Sequence, residues 1–95
     1  MDKHDQQRVA GTIRSSFDAT LRDLSRDDGP AVAEVVTASY RRLAAEMARG
    51  FAETDARFSV DAFMTDALGR AEGQHALRLY EAVYVGRRTT ADRRS

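Results

Sequence analysis

Between Val9 and Tyr84 the apolar residues recur at intervals of three and four, and the pattern restarts after each of three polar or glycine-containing breaks. Such spacing places side chains in one stripe of an α-helix. In the first segment Val9, Ile13, Phe17, Leu21 and Leu24 form a stripe that predicts an amphipathic helix from about Gln6 to Ser25. Gly11 costs this helix about 1 kcal/mol relative to Ala, near its frayed end. The run Arg26-Asp27-Asp28-Gly29-Pro30 stops it, because Gly favours a turn and Pro suits the first position of a new helix.

A second helix therefore begins at Pro30. Val32, Val35, Val36, Tyr40, Leu43, Met47 and Phe51 give its apolar spacing, and Ala44, Ala45 and Ala48 supply helix propensity. Its outer face is expected to carry Glu34, Arg41, Arg42, Glu46 and Arg49, with Arg42 and Glu46 as an i,i+4 pair. Gly50 is a candidate end, unless Phe51-Ala52-Glu53 adds another turn. The next start is signalled at Ser59, an N-cap residue followed by Asp61, with Phe58 and Phe63 at the two positions of a hydrophobic staple whose rings should touch. This third helix buries Val60, Phe63, Met64, Ala67 and Leu68.

Phase decides how the chain continues past Gly69-Arg70-Ala71-Glu72-Gly73. At about 100° per residue, Ala76, Leu77, Leu79, Tyr80, Val83 and Tyr84 point roughly half a turn away from Val60, Phe63 and Ala67. One straight helix would have two opposed apolar faces. Either the chain breaks at the glycines and a fourth helix folds back, the favoured arrangement, or a long helix offers its second face to a partner. The Tyr and Val content of residues 77–85 also admits a strand, but no second strand exists to pair with it. The expectation is an all-α fold: a compact bundle of about four helices in one domain over residues 1–86, with a flexible, Arg-rich tail over 87–95.

Size and composition agree. For 95 residues and 10.6 kDa, surface scaling gives roughly 5,500 Å² folded against roughly 15,400 Å² unfolded, enough for one core. With 42% apolar and 32% charged residues, a membrane span, a collagen-like chain and a largely disordered chain are excluded. The absence of cysteine removes disulfides, cysteine zinc sites and thiol nucleophiles together.

Fifteen basic and fifteen acidic residues cancel, leaving no net field to steer the molecule toward nucleic acid or an anionic membrane. The distribution is uneven: residues 1–86 carry 11 basic and 14 acidic side chains, and residues 87–95 carry four arginines and one aspartate. Fourteen Arg, sixteen Ala and no Asn reflect a GC-rich genome before they reflect a binding site. The opening residues have no apolar core of a signal peptide, so a cytoplasmic protein is expected.

Catalytic and metal motifs are missing. His4 and His75 stand far apart, neither at metal-ligand spacing with a carboxylate or second histidine. No Gly-x-Ser-x-Gly turn surrounds Ser15, Ser16 or Ser39, and Gly69-x-x-x-Gly73 lacks the Lys-Ser or Lys-Thr of a phosphate loop. The acids Asp23, Asp27 and Asp28, and Asp55, Asp61 and Asp66, lack calcium-loop spacing and read as caps and solubilising charge. No enzyme, cofactor or metal is expected.

Two binding readings remain. Leu77, Leu79, Tyr80, Val83 and Tyr84 spread over more than one face of the last helix, an excess of apolar surface that suits a protein partner or a second copy. Alternatively, Arg87, Arg88, Arg93 and Arg94 neutralise phosphates, with Tyr80 and Tyr84 as stacking surfaces for nucleic acid.

The stretch from Val32 to Gly69 carries Leu43-Ala44 and Phe51-Ala52 ahead of Asp55-Ala56-Arg57-Phe58-Ser59-Val60-Asp61-Ala62-Phe63. It resembles a pattern in short uncharacterised all-helical proteins of GC-rich bacteria and their phages, in which a helix meets an Asn-Pro-Arg-Phe-Asp-like turn and a short helix bearing a Phe. Here Asp55-Ala56 stands for Asn-Pro and Ser59 for Asp. The resemblance implies a packed helix–turn–helix corner and no catalytic residue. The functional expectation is a small accessory or phage-like module that binds a protein partner or its own copy.

Overall fold

A computed structural model describes residues 3–24 and 29–86. Among them four α-helices occur in order: α1 (Lys3–Leu24), α2 (Gly29–Thr54), α3 (Val60–Leu68) and α4 (Arg70–Tyr80), the last running into a π-helical segment, Glu81–Gly86. The described residues contain no strand, and residues 77–85 are helical. The stop expected over 26–28 and the tail over 87–95 lie outside the described residues.

α1 buries Gln6, Ala10, Ile13 and Phe17 in one stripe. α2 runs through Gly50 because Phe51 is a core residue, 5% exposed, and the helix must continue to deliver it. The chain then turns at Asp55, whose carboxylate accepts the Arg57 backbone N–H at 2.9 Å. Ser59 caps α3 by accepting the Ala62 N–H at 3.2 Å. The expected staple forms, with Phe58 and Phe63 ring centroids 5.5 Å apart, and Phe51 closes a triangle at 5.4 and 5.5 Å. Each such aromatic pair adds about 0.5–1.5 kcal/mol beyond area burial.

α3 and α4 are separate helices. Gly69 joins them at φ +86°, ψ 172°, a conformation open to glycine alone. Gly73, one turn into α4, lies against the α3 backbone, and this close approach sets the tight α3–α4 corner. Met64 is the largest fully buried side chain, surrounded by a core from all four helices.

The buried face of α2 differs from the expected one. Ala44, Ala45 and Ala48 are at most 2% exposed and form its core with Thr37 and Phe51, whereas Val32, Val35 and Leu43 are exposed. Ala45 lies two residues, about 200° of helix rotation, from Leu43, so the two sets face different surroundings. α2 packs against α1, α3 and α4 together; small side chains let helix axes approach while large residues from the neighbours fill the space. Arg41 also leaves the expected outer face: its Nε donates to Glu72 of α4 at 2.6 Å, and its Nη1 lies 3.6 Å from Glu34.

Candidate interaction surface

All five residues expected to form an interface on the last helix are half-buried. Leu77, Leu79, Tyr80 and Tyr84 pack against the core of their own chain. The π-helical segment holds Tyr84 one turn from Tyr80 with ring centroids 5.3 Å apart, and the Arg49 guanidinium sits 5.1 Å over the Tyr84 ring. The structure thus brings Tyr80 and Tyr84 together but turns much of both rings to internal contacts. Val83 is half-buried and Val85 is 47% exposed. Arg87, Arg88, Arg93 and Arg94 lie outside the described residues.

Sequence reading missed the apolar surface of α2. Val32 (41%), Val35 (66%) and Leu43 (43%) are the other large hydrophobic residues left exposed among those described. Val32, Ser39, Leu43 and Gly50 fall within a narrow sector of the α2 wheel, with Val35 at its edge. Beside this strip, Thr12, Ile13 and Ser16 of α1 and Ser39, Tyr40 and Leu43 of α2 line a groove of about 350 Å³. Its polar rim is built in: the Tyr40 hydroxyl shares hydrogen bonds with Ser16 Oγ at 2.5 Å and Thr20 Oγ1 at 3.3 Å. These bonds, the Ser16 contact foremost, hold the Tyr40 phenol below its ordinary pKa. The signal that could have revealed the strip is the breadth of the α2 apolar arc, wider than one core-facing stripe needs.

Charge on this helix is paired. Arg42 Nε lies 3.4 Å from Glu46 Oε1 and Arg49 Nε 3.2 Å from Glu53 Oε1, both exposed i,i+4 pairs. The Arg41 guanidinium, donating to Glu72, is held above its ordinary pKa and stays charged throughout the accessible pH range.

A second concavity, about 620 Å³, opens where the start of α1 meets the α2–α3 turn. Gln6, 7% exposed, donates from Nε2 to Asp55 Oδ2 at 3.0 Å there. That bond and the Arg57 backbone N–H hold the Asp55 carboxylate below the usual range. Lys3 and Arg57 oppose Asp55 and Asp66 around the rim, so the concavity has no dominant sign with which to select an ion.

Among the described residues no group of three or more His, Asp or Glu side chains is placed to hold a metal ion, and no helix is long and apolar enough to cross a membrane. His4 and His75 are both exposed, one near the start of α1 and the other on α4. Comparison with protein families, curated proteins and solved structures finds no match, so a functional reading rests on the surfaces themselves.

Proposed function

We propose that the protein is an accessory module that acts by protein association rather than catalysis, using the exposed apolar face of α2. The observation that carries this reading is the placement of Val32, Val35 and Leu43 on the surface of one helix, beside the apolar groove at Ile13 and Tyr40. Exposed apolar side chains gathered on one face favour an interface over an isolated surface. The last helix, which the sequence pattern favoured, is the weaker surface, because its large side chains already serve the core.

The test is capture from host lysate on tagged full-length protein, treated with nuclease, comparing wild type with Leu43→Asp and Val35→Asp. Near-stoichiometric retention of a protein by wild type, and its loss in both variants with helicity unchanged by circular dichroism, supports the reading. Equal retention by the variants removes α2 as the interface. If wild type retains material only when nuclease is omitted, the nucleic-acid reading through Arg87, Arg88, Arg93 and Arg94 replaces it.

A further inference from the structure

Resting on that reading of α2, we propose that the occupant of its exposed face is a second copy of this chain, packed antiparallel, α2 against α2, about a two-fold axis at the level of Ala44.

The exposed face of α2 carries Glu46 and Glu53 against Arg42 and Arg49, two of each sign, while Glu34 and Arg41 lie on the side turned toward α4. Such a face has no net sign with which to attract an acidic or a basic partner. It requires a partner whose charges alternate as its own do. A two-fold interface is self-complementary by construction, residue i meeting residue j and j meeting i. Arg42 and Glu46 stand two residues either side of Ala44, so the two-fold sets Arg42 of each copy level with Glu46 of the other. Both side chains are exposed, 80% and 54%, and can reach across. One intrachain pair becomes a four-charge network.

At 1.5 Å per residue, the same axis sets Ser39 within one residue of the level of Gly50 in the other copy, and places the two Leu43 side chains about 3 Å apart along the helix direction. Small residues facing small residues let the helices approach, and the leucines then cover one another, with Val35 of each copy level with the aliphatic stem of Glu53 in the other.

An axis at Ala44 sets residue 34 of one copy level with residue 54 of the other, so the two α2 helices overlap over about 21 residues, about 32 Å at a width of about 10 Å, which covers roughly 630 Å² over the two copies. That is well under the roughly 1,000 Å² of a firm interface. The dimer is therefore weak and dissociates on dilution, an association suited to exchange with other partners.

Sedimentation velocity of the purified full chain, from ~10 µM to ~1 mM to span weak association, tests this. Wild type should shift from monomer toward twice its mass as concentration rises. Arg42→Glu and Glu46→Arg, each of which places like charges across the two-fold, should each weaken association by about tenfold. An equimolar mixture of the two variants should restore it, because positions 42 and 46 are then both acidic in one chain and both basic in the other, and every facing pair is of opposite sign. An effect confined to one chain would give no such rescue. Wild type that stays monomeric across the range overturns the proposal, as does a mixture no more associated than its components. Should wild type be monomeric while lysate capture still depends on Leu43, the second copy falls and the α2 binding face stands; failure of both experiments removes both.

Discussion

A β-carbon added at Gly73 would stand 2.9 Å from the Met64 carbonyl oxygen and 3.0 Å from both Met64 C and Thr65 N. All three are backbone atoms of α3, so nothing flexible can give way. Replacing a mid-helix glycine by alanine ordinarily gains about 1 kcal/mol, while overpacking a tight contact costs about 1–3 kcal/mol. Gly73→Ala should therefore destabilise, by about 1 kcal/mol net. Gly11→Ala is the control: a β-carbon there meets nothing within 4 Å, and the gain of propensity should appear undiminished, close to about 1 kcal/mol. Urea titration of both variants checks the opposite signs. The sequence singles out Gly69 and Gly73 as a pair that breaks a helix, and the break is real. The division of work between them was not legible, because the strained φ of Gly69 is local whereas the constraint on Gly73 comes from the backbone of α3, a separate helix on the far side of the break.

At the scale of elements, the start of α3 is the most local structure in the protein. Ser59 satisfies a helix N–H from three residues away, and Phe58 and Phe63 close over it. Ser59→Ala should cost about 1 kcal/mol, lowering Tm by about 4–8 °C, and Ser59→Asn, another good cap, should recover most of that. Thermal unfolding followed by circular dichroism measures both. Because caps and staples act within a single turn, this element was readable in full. α2 was readable only as a helix. Its periodicity shows that Val32, Val35 and Leu43 share a side, but which side is covered depends on where α1, α3 and α4 lie. Hydrophobicity ranks Leu and Val above Ala, whereas the close packing of three neighbours selects Ala44, Ala45 and Ala48 for the inside. The exposed apolar side of α2 was therefore not legible as a surface, for the same reason that its buried alanines read only as helix propensity. The π-helical end of α4 carried no readable signal either, since its register comes from seating Tyr84 against Tyr80 and Arg49.

For the whole molecule, the start of α1 and the α2–α3 turn, 49 residues apart in sequence, are joined by the hydrogen bond from Gln6 to Asp55. The same carboxylate also closes the turn through the Arg57 N–H. Both donors favour the ionised form, Gln6 more than Arg57, so Asp55 has a lower pKa folded than unfolded. In the unfolded chain it titrates near the ordinary aspartate value, about 3.9. The sign comes from proton uptake: below that value the unfolded chain binds a proton that the folded one resists, so acid favours unfolding. The stabilisation is fully present well above about pH 4 and is lost as pH falls through the unfolded value and on through the folded one. Asp55→Asn keeps the shape of the side chain and removes the charge. It should be less stable than wild type at about pH 7, and the gap should narrow steadily between about pH 5 and pH 2, as measured by urea midpoints across that range. Gln6→Ala should narrow the acid-dependent gap in the same direction, because it removes the larger of the two donors. A gap between wild type and Asp55→Asn that stays constant with pH would mean that ionisation of Asp55 contributes nothing to stability, and that the substitution costs only the exchange of an acceptor oxygen for an NH2 group facing the donors of Gln6 and Arg57.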